Sequence, residues 1–190
     1  MTGPRPEAPA GLLLAAGAGR RYGMPKALVR HGEHLLVEHA LKTLDNGGCT
    51  PLVVVLGAAT DQVRGEADLS AATVVVNPDW EAGMGSSLRV GLAALRDTAA
   101  EATIVLLVDT PGVTPAAVGR LAAAGGHDAL AVATYHGERG HPVLLGRDHW
   151  AGVAELAVGD VGARPYLRSH PPTEVPCEDV ADGEDLDRPS

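Results

Sequence analysis

The chain has 190 residues, 45% of them hydrophobic, and a formal net charge of -9. That length and apolar content fit one domain with a sizeable core, filled by aliphatic residues and alanine because phenylalanine is absent. The negative charge argues against general binding to nucleic acid or acidic membranes, and the two cysteines, Cys49 and Cys177, suggest neither a disulfide framework nor a zinc site.

In chain order, Met1 to Pro9 reads as a disordered leader and residues 10–190 as one domain. The apolar run Gly11 to Ala18 is flanked by Glu7, three prolines and Arg20-Arg21. It therefore reads as a strand rather than a signal-peptide core. Strands are expected at Leu12–Ala16, Leu52–Leu56, Thr73–Val76, Thr103–Val108 and Ala129–Thr134. His141–Leu145 and Thr173–Pro176 are weaker candidates. The first five are continuously apolar, as strands covered on both faces should be. Helical periodicity fills the gaps at Leu35–Leu44, Ser86–Leu95, Pro115–Ala123, Trp150–Leu156 and Ala163–Leu167. Ser86-Ser87 offers N-cap chemistry to the second of these, and Thr114 with Pro115 to the third. No apolar run reaches the ~18–20 residues of a membrane span. With no signal peptide and reduced cysteines, the expected setting is cytoplasmic.

Alternating strands and helices imply an α/β fold with a mostly parallel sheet between helical layers. In such folds ligands sit at the carboxyl ends of the strands. Two stretches land there. The first is "AAGAGRRYGMPK", Ala15 to Lys26, after the first strand. The second is "DTPG", Asp109 to Gly112, after Thr103–Val108.

The first loop is not a P-loop, because its lysine follows proline instead of glycine. It is a poor dinucleotide-binding turn, because arginines stand where small residues are needed. What remains is a glycine turn whose N–H groups can face oxygen atoms, with Arg21 and Lys26 as cationic donors. That set suits a nucleoside triphosphate. Such a ligand brings Mg²⁺, which takes one or two carboxylates plus phosphate oxygens, and Asp109 is placed to supply one. Asn77 suits either a base edge or a strand-ending turn. His141 and Arg164 suit either substrate contact or ordinary loop and surface roles. Trp150 reads as core, while Trp80 is open between core and ligand.

The motif "LAAGAGRRYGMPK" (Leu14–Lys26) resembles the signature of GT-A-like, Rossmann-like nucleotidyltransferases. With "NPDWEAGMGSSLRVGL" (Asn77–Leu92), "VDTPGVTPAAVGRL" (Val108–Leu121), "GHPVLL", "VGDVGAR" and "DLDRPS" in that order, the chain resembles molybdenum cofactor cytidylyltransferase and its relatives, the MobA-like NTP transferase family. Tyr22 stands where methionine is usual there, and Thr110 where glutamine is common. The resemblance implies a three-layer fold with a mostly parallel mixed sheet. It also implies transfer of CMP from CTP to the terminal phosphate of a molybdopterin cofactor, with release of pyrophosphate. In that family Leu14, Ala15, Ala16, Gly17, Ala18, Gly19, Arg21 and Lys26 would hold the nucleotide, with Asn77 and Ser86. Gly85, Ser87, His141, Asp160 and Arg164 would face the second substrate. Asp187, next to the alternative Asp185, would join Asp109 on Mg²⁺. Lys26, Arg21 and Asp109 would be catalytic. A client molybdoenzyme is an implied partner. The "LAAG" form points to CTP over GTP. The readings left open are the same fold using GTP or another acceptor phosphate, and a non-catalytic cofactor carrier.

Overall fold

The structure, a computed structural model, describes residues 7–187 and 189. The expected leader lies largely outside the described residues. Pro9 is buried, and its carbonyl accepts a hydrogen bond from Thr50 N.

The elements in chain order are β1 (Ala10–Ala15), a hairpin of β2 (Arg30–His31) and β3 (His34–Leu35), α1 (Leu36–Asn46), β4 (Leu52–Leu56), α2 (Thr60–Glu66), β5 (Thr73–Val76), α3 (Met84–Leu95), β6 (Ala102–Leu107), α4 (Pro115–Ala123), β7 (Leu130–Tyr135), β8 (Glu138–Gly146), α5 (Trp150–Leu156), α6 (Arg164–Ser169) and β9 (Thr173–Pro176). Seven strands form one sheet in the order β5-β4-β1-β6-β8-β7-β9. β8 runs antiparallel to both neighbours, and the other pairings are parallel, giving the expected mostly parallel mixed sheet.

β1 shows why these strands read as continuous apolar runs. Leu13 and Ala15 pack into one core layer with α1 and α4. Ala10, Leu12 and Leu14 pack into the other, with α3, α5 and α6. Side chains alternate between faces, so a strand covered on both sides needs apolar residues at every position. The result is three layers with the sheet in the middle.

The expected bounds of β4, β5, α4, α5 and β9 match those observed, and Thr114 caps α4 by accepting from Ala117 N at 3.3 Å. α3 begins at Met84 after Gly83, two residues before the expected Ser86. Ser86 is therefore not its N-cap; its hydroxyl donates back to the carbonyls of Gly83 and Asp79. Two elements were not foreseen. α2 buries only Val63, so it carries no apolar stripe to read. The β2–β3 hairpin pairs strands of two residues each, too short for a periodic signal.

At Gly91 on α3 an added Cβ would stand 2.4 Å from Leu12 Cδ1, and Leu12 is fully buried. At exposed Gly65 on α2 nothing lies within 4 Å. Gly91→Val is expected to destabilise the protein by ~1–3 kcal/mol through overpacking. Gly65→Ala should be neutral or stabilising by up to ~1 kcal/mol. Urea denaturation of the two variants beside the parent checks both.

Candidate active site

β1 and β6 are parallel neighbours, with Leu14 opposite Leu107. The loops that follow them therefore leave the same edge side by side. The first is a tight turn. The Gly19 carbonyl accepts from Tyr22 N at 3.0 Å and Gly23 N at 2.8 Å. Gly19 has φ +62°, and a Cβ there would meet the Met24 carbonyl oxygen at 1.8 Å. Only glycine can close this turn. Tyr22 packs its partly buried ring against the α1-side core and anchors the loop. A short 3-10 turn, Lys26–Leu28, buries Ala27 and Leu28 and fixes the backbone of Lys26.

The second loop is held from three sides. The Thr110 side chain donates to the Leu107 carbonyl at 2.9 Å, so this residue is buried in the turn. His39 on α1 reaches the Pro111 carbonyl with Nε2 at 3.0 Å. The chain after β9 runs alongside: Asp182 N donates to Gly112 O, and Leu186 N donates to Asp109 O at 2.7 Å. That segment is fastened by a two-pronged pair between Arg120 and Asp179, each contact 2.6 Å.

These loops bring three charges together. Lys26 Nζ lies 2.8 Å from Asp109 Oδ2 and 3.5 Å from Asp187 Oδ1. They stand in a cleft of about 450 Å³ lined by Leu14, the stretch Ala16 to Arg21, Lys26, Ser87, Asp109, Asp160 and Asp187. Trp80 lines it too, whereas Trp150 is core, its Nε1 donating to the Leu145 carbonyl at 2.9 Å. Asp160 also accepts from Met84 N at 3.3 Å, at the start of α3. Asp185 does not line the cleft; partial burial, then Asp109 and Asp187, raise its carboxyl above the usual range.

A second cavity of about 250 Å³ adjoins the cleft, since Leu14 and Met84 line both. Its walls are aliphatic, from Leu88, Val105, Val132, Val143, Leu145 and Leu167 among others. Its polar lining comes from Arg139, His141, Arg164 and Arg168. Desolvation pushes the His141 imidazole down to about 4, with Asp109 opposing and Arg164 reinforcing, so the ring is neutral at pH 7.

Four expected site residues fall outside both cavities. Ala15 points into the core. Gly85 packs on the Ala157–Gly159 backbone, where a Cβ would meet Ala157 O at 2.6 Å. Asn77 and Ser86 are buried and satisfied by one another: Asn77 Nδ2 donates to Ser86 Oγ at 2.8 Å and Ser87 Oγ at 3.0 Å, while Asn77 Oδ1 accepts from Asp79 N. With its amide so engaged, Asn77 braces the turn before α3 and has no free edge for a base. In the other direction, His39, which braces the second loop, is a residue that the sequence pattern alone does not single out. Its only signal there is a polar residue within the stripe of Leu36, Ala40 and Leu44.

Asp109 also bears on metal binding. Its Oδ1 is buried and has no hydrogen-bond partner. A buried oxygen left so costs about 1–3 kcal/mol, and a cation would relieve it. Among the described residues no group of three or more His, Cys, Asp or Glu could hold a metal. The unpartnered Asp109 oxygen, with Asp187 beside it, would suit an ion such as Mg²⁺ that takes one or two carboxylates and completes its shell with water and phosphate oxygens. Among the described residues no helix is long and apolar enough to cross a membrane.

Comparison with known proteins agrees with this fold. The family described as MobA-like NTP transferase domain matches residues 11–175. The chain is 40% identical over 187 residues to nicotine blue oxidoreductase of Paenarthrobacter nicotinovorans, covering 93% of this chain and 91% of that protein. The crystal structure of Rv0371c from Mycobacterium tuberculosis H37Rv superposes with a TM-score of 0.81 at 30% identity, over 97% of this chain and 95% of that one. A structure of Rv0371c in complex with manganese superposes with a TM-score of 0.76, also at 30% identity, over 89% and 88% of the two chains.

Gly19→Ala is expected to open the first turn, because the left-handed backbone and the contact with Met24 both forbid a side chain there. Nucleotide affinity, read by titration calorimetry, should fall by about tenfold or more. The far-ultraviolet circular dichroism of the sheet should be retained.

Proposed function

The chain belongs to the MobA-like NTP transferase family, and on that premise we propose that it transfers CMP from CTP to the terminal phosphate of a molybdopterin-type cofactor, releasing pyrophosphate. The observation that carries the transferase reading is the convergence of Lys26, Asp109 and Asp187 beside the glycine turn, at the ends of adjacent parallel strands. The cytidylyl choice rests on the "LAAG" form at Leu14–Gly17. In this reading residues 10–190 act as one nucleotidyltransferase domain in the cytoplasm. Its partners are small molecules and a client molybdoenzyme, not nucleic acid.

The reaction is an in-line displacement at the α-phosphorus. The nucleophile is already an anionic phosphate oxygen, so no serine, cysteine or histidine nucleophile is required. The protein's task is to align two anions and offset their repulsion. The glycine turn presents N–H groups to the triphosphate, and Lys26 and Arg21 stabilise the charge that grows on the leaving pyrophosphate. Asp109 and Asp187 would hold Mg²⁺, which neutralises charge between attacking and leaving groups when bound. Ser87 and Asp160 face the cleft from the α3 side, where the acceptor phosphate would arrive. Neutral His141 and cationic Arg164 would receive the acceptor's body in the adjoining cavity.

One comparison favours a second reading. The 40% identity to nicotine blue oxidoreductase extends over nearly the whole chain. The two cavities would then hold an electron donor and the compound to be reduced, and neither Asp109 nor Asp187 would be needed as a metal ligand.

Pyrophosphate release measured separately with CTP, GTP and ATP, in the presence of molybdopterin cofactor, decides between them. CTP is expected to be preferred, and Asp109→Ala should lower the rate ~10²–10³-fold. GTP-only turnover sinks the cytidylyl choice. Equal transfer by wild type and Asp109→Ala favours a carrier. Reduction of nicotine blue by an added electron donor, without any pyrophosphate release, favours the reductase.

A further inference from the structure

The Lys26 ammonium lies between two carboxylates, 2.8 Å from Asp109 Oδ2 and 3.5 Å from Asp187 Oδ1. The Lys26 and Asp109 side chains are only 15% and 22% exposed, so water screens the pair weakly. The backbone of Lys26 is fixed by hydrogen bonds from Leu28 N to Pro25 O and from Val29 N to Lys26 O, and by the buried Ala27 and Leu28. Any relocation of the charge is therefore a swing of the four-carbon stem alone.

We propose that Lys26 is an internal stand-in for the divalent cation, so that ammonium and metal exclude one another between Asp109 and Asp187 until a nucleotide draws the lysine off. This rests on the metal-dependent transferase reading and adds a binding order to it. A small divalent ion would need carboxylate oxygens at about 2.1 Å. The ammonium already uses one oxygen from each of the two aspartates. Holding both cations against the same two carboxylates places like charges a few ångströms apart, weakly screened on the Asp109 side although the Asp187 side chain is 64% exposed. A triphosphate in the glycine turn offers the ammonium a stronger anionic partner on the other side of the cleft. The lysine then moves to the phosphates, and both carboxylates, including the unpartnered Asp109 Oδ1, become free for the ion. Metal alone is held weakly, and metal with nucleotide is held well.

The chain has two lysines, Lys26 and Lys42, so the swing can be read directly. Lys42 lies on α1, where its ammonium faces His34. In brief acetylation of the wild-type protein followed by mass spectrometry, saturating Mn²⁺ without nucleotide should raise labelling of Lys26 relative to Lys42 about threefold or more. In calorimetric titration with Mn²⁺ alone, Lys26→Gln and Lys26→Met should bind about tenfold tighter than wild type. Arg21→Gln removes the same charge from the same cleft and should tighten binding by less than about threefold, because Arg21 has no ion pair with either carboxylate. Unchanged or reduced labelling of Lys26, Lys26 variants that bind Mn²⁺ no better than wild type or not at all, or an equal gain in Arg21→Gln would each overturn the exchange. Normal pyrophosphate release with none of these changes overturns the exchange and leaves the transferase standing. The expected changes without pyrophosphate release support the exchange and count against the transferase.

Discussion

The contact between Lys26 and Asp109 joins residues 83 positions apart. It forms because β1 and β6 are adjacent and parallel, so that both chains leave the sheet at one edge. An exposed ion pair of this kind contributes about 0–1 kcal/mol. This one is shielded, and its anion keeps a second oxygen with no partner, so loss of the lysine would leave a poorly solvated carboxylate. The arrangement concentrates unfavourable charge at the place where the ligand's counter-charges would arrive. The glycine turn, the His39 brace and the fastening of the C-terminal segment all serve to hold these two groups at this distance.

The C-terminal segment shows how a distant stretch can complete such a site without secondary structure of its own. Thr114 donates to Val180 O, Asp182 N to Gly112 O and Leu186 N to Asp109 O, so residues 180–186 follow the second loop like an extra strand edge. Asp187 reaches the cleft because Asp109 offers its backbone carbonyl to the residue just before it. The Arg120–Asp179 pair then secures the segment to α4. The acidic tail is therefore a positioned arm through Asp187, although its composition reads as solvated charge.

How much of this was legible in the sequence depends on the kind of burial. The central strands were legible because two-sided burial demands apolar residues at each position, as Leu12, Leu13 and Leu14 show. That the glycine turn, Lys26 and Asp109 would meet was legible because both stretches follow parallel strands of one sheet, whose carboxyl ends share an edge. Asn77 and Ser86 are ambiguous in sequence. A buried amide bonded to two serines uses the same residues as a ligand contact, and only coordinates show that its donors are spent. His39 is hidden in the opposite sense, because its neighbours at helical spacing, Leu36, Ala40 and Leu44, are apolar core residues. α2 escaped because a helix that buries one valine leaves no period to count.

The antiparallel course of β8 accounts for the pairing of two unlike cavities. Were β8 parallel, its beginning would lie at the opposite edge of the sheet from the cleft. Running antiparallel to β6, it brings Glu138–His141 to the edge where β1 and β6 end, and sends Val143 and Leu145 down the wall facing α3 and α6. The charged cleft thus opens directly onto an aliphatic chamber, with Leu14 and Met84 as the shared boundary. Both are mixed in character: the cleft carries Arg21, Lys26 and the aspartates beside Leu14, Trp80 and Met84, and the chamber sets Arg139, His141, Arg164 and Arg168 among aliphatic walls. An apolar ring would gain from the chamber by burial, and polar groups on the same body would still find donors there, so they need not be left unpaired.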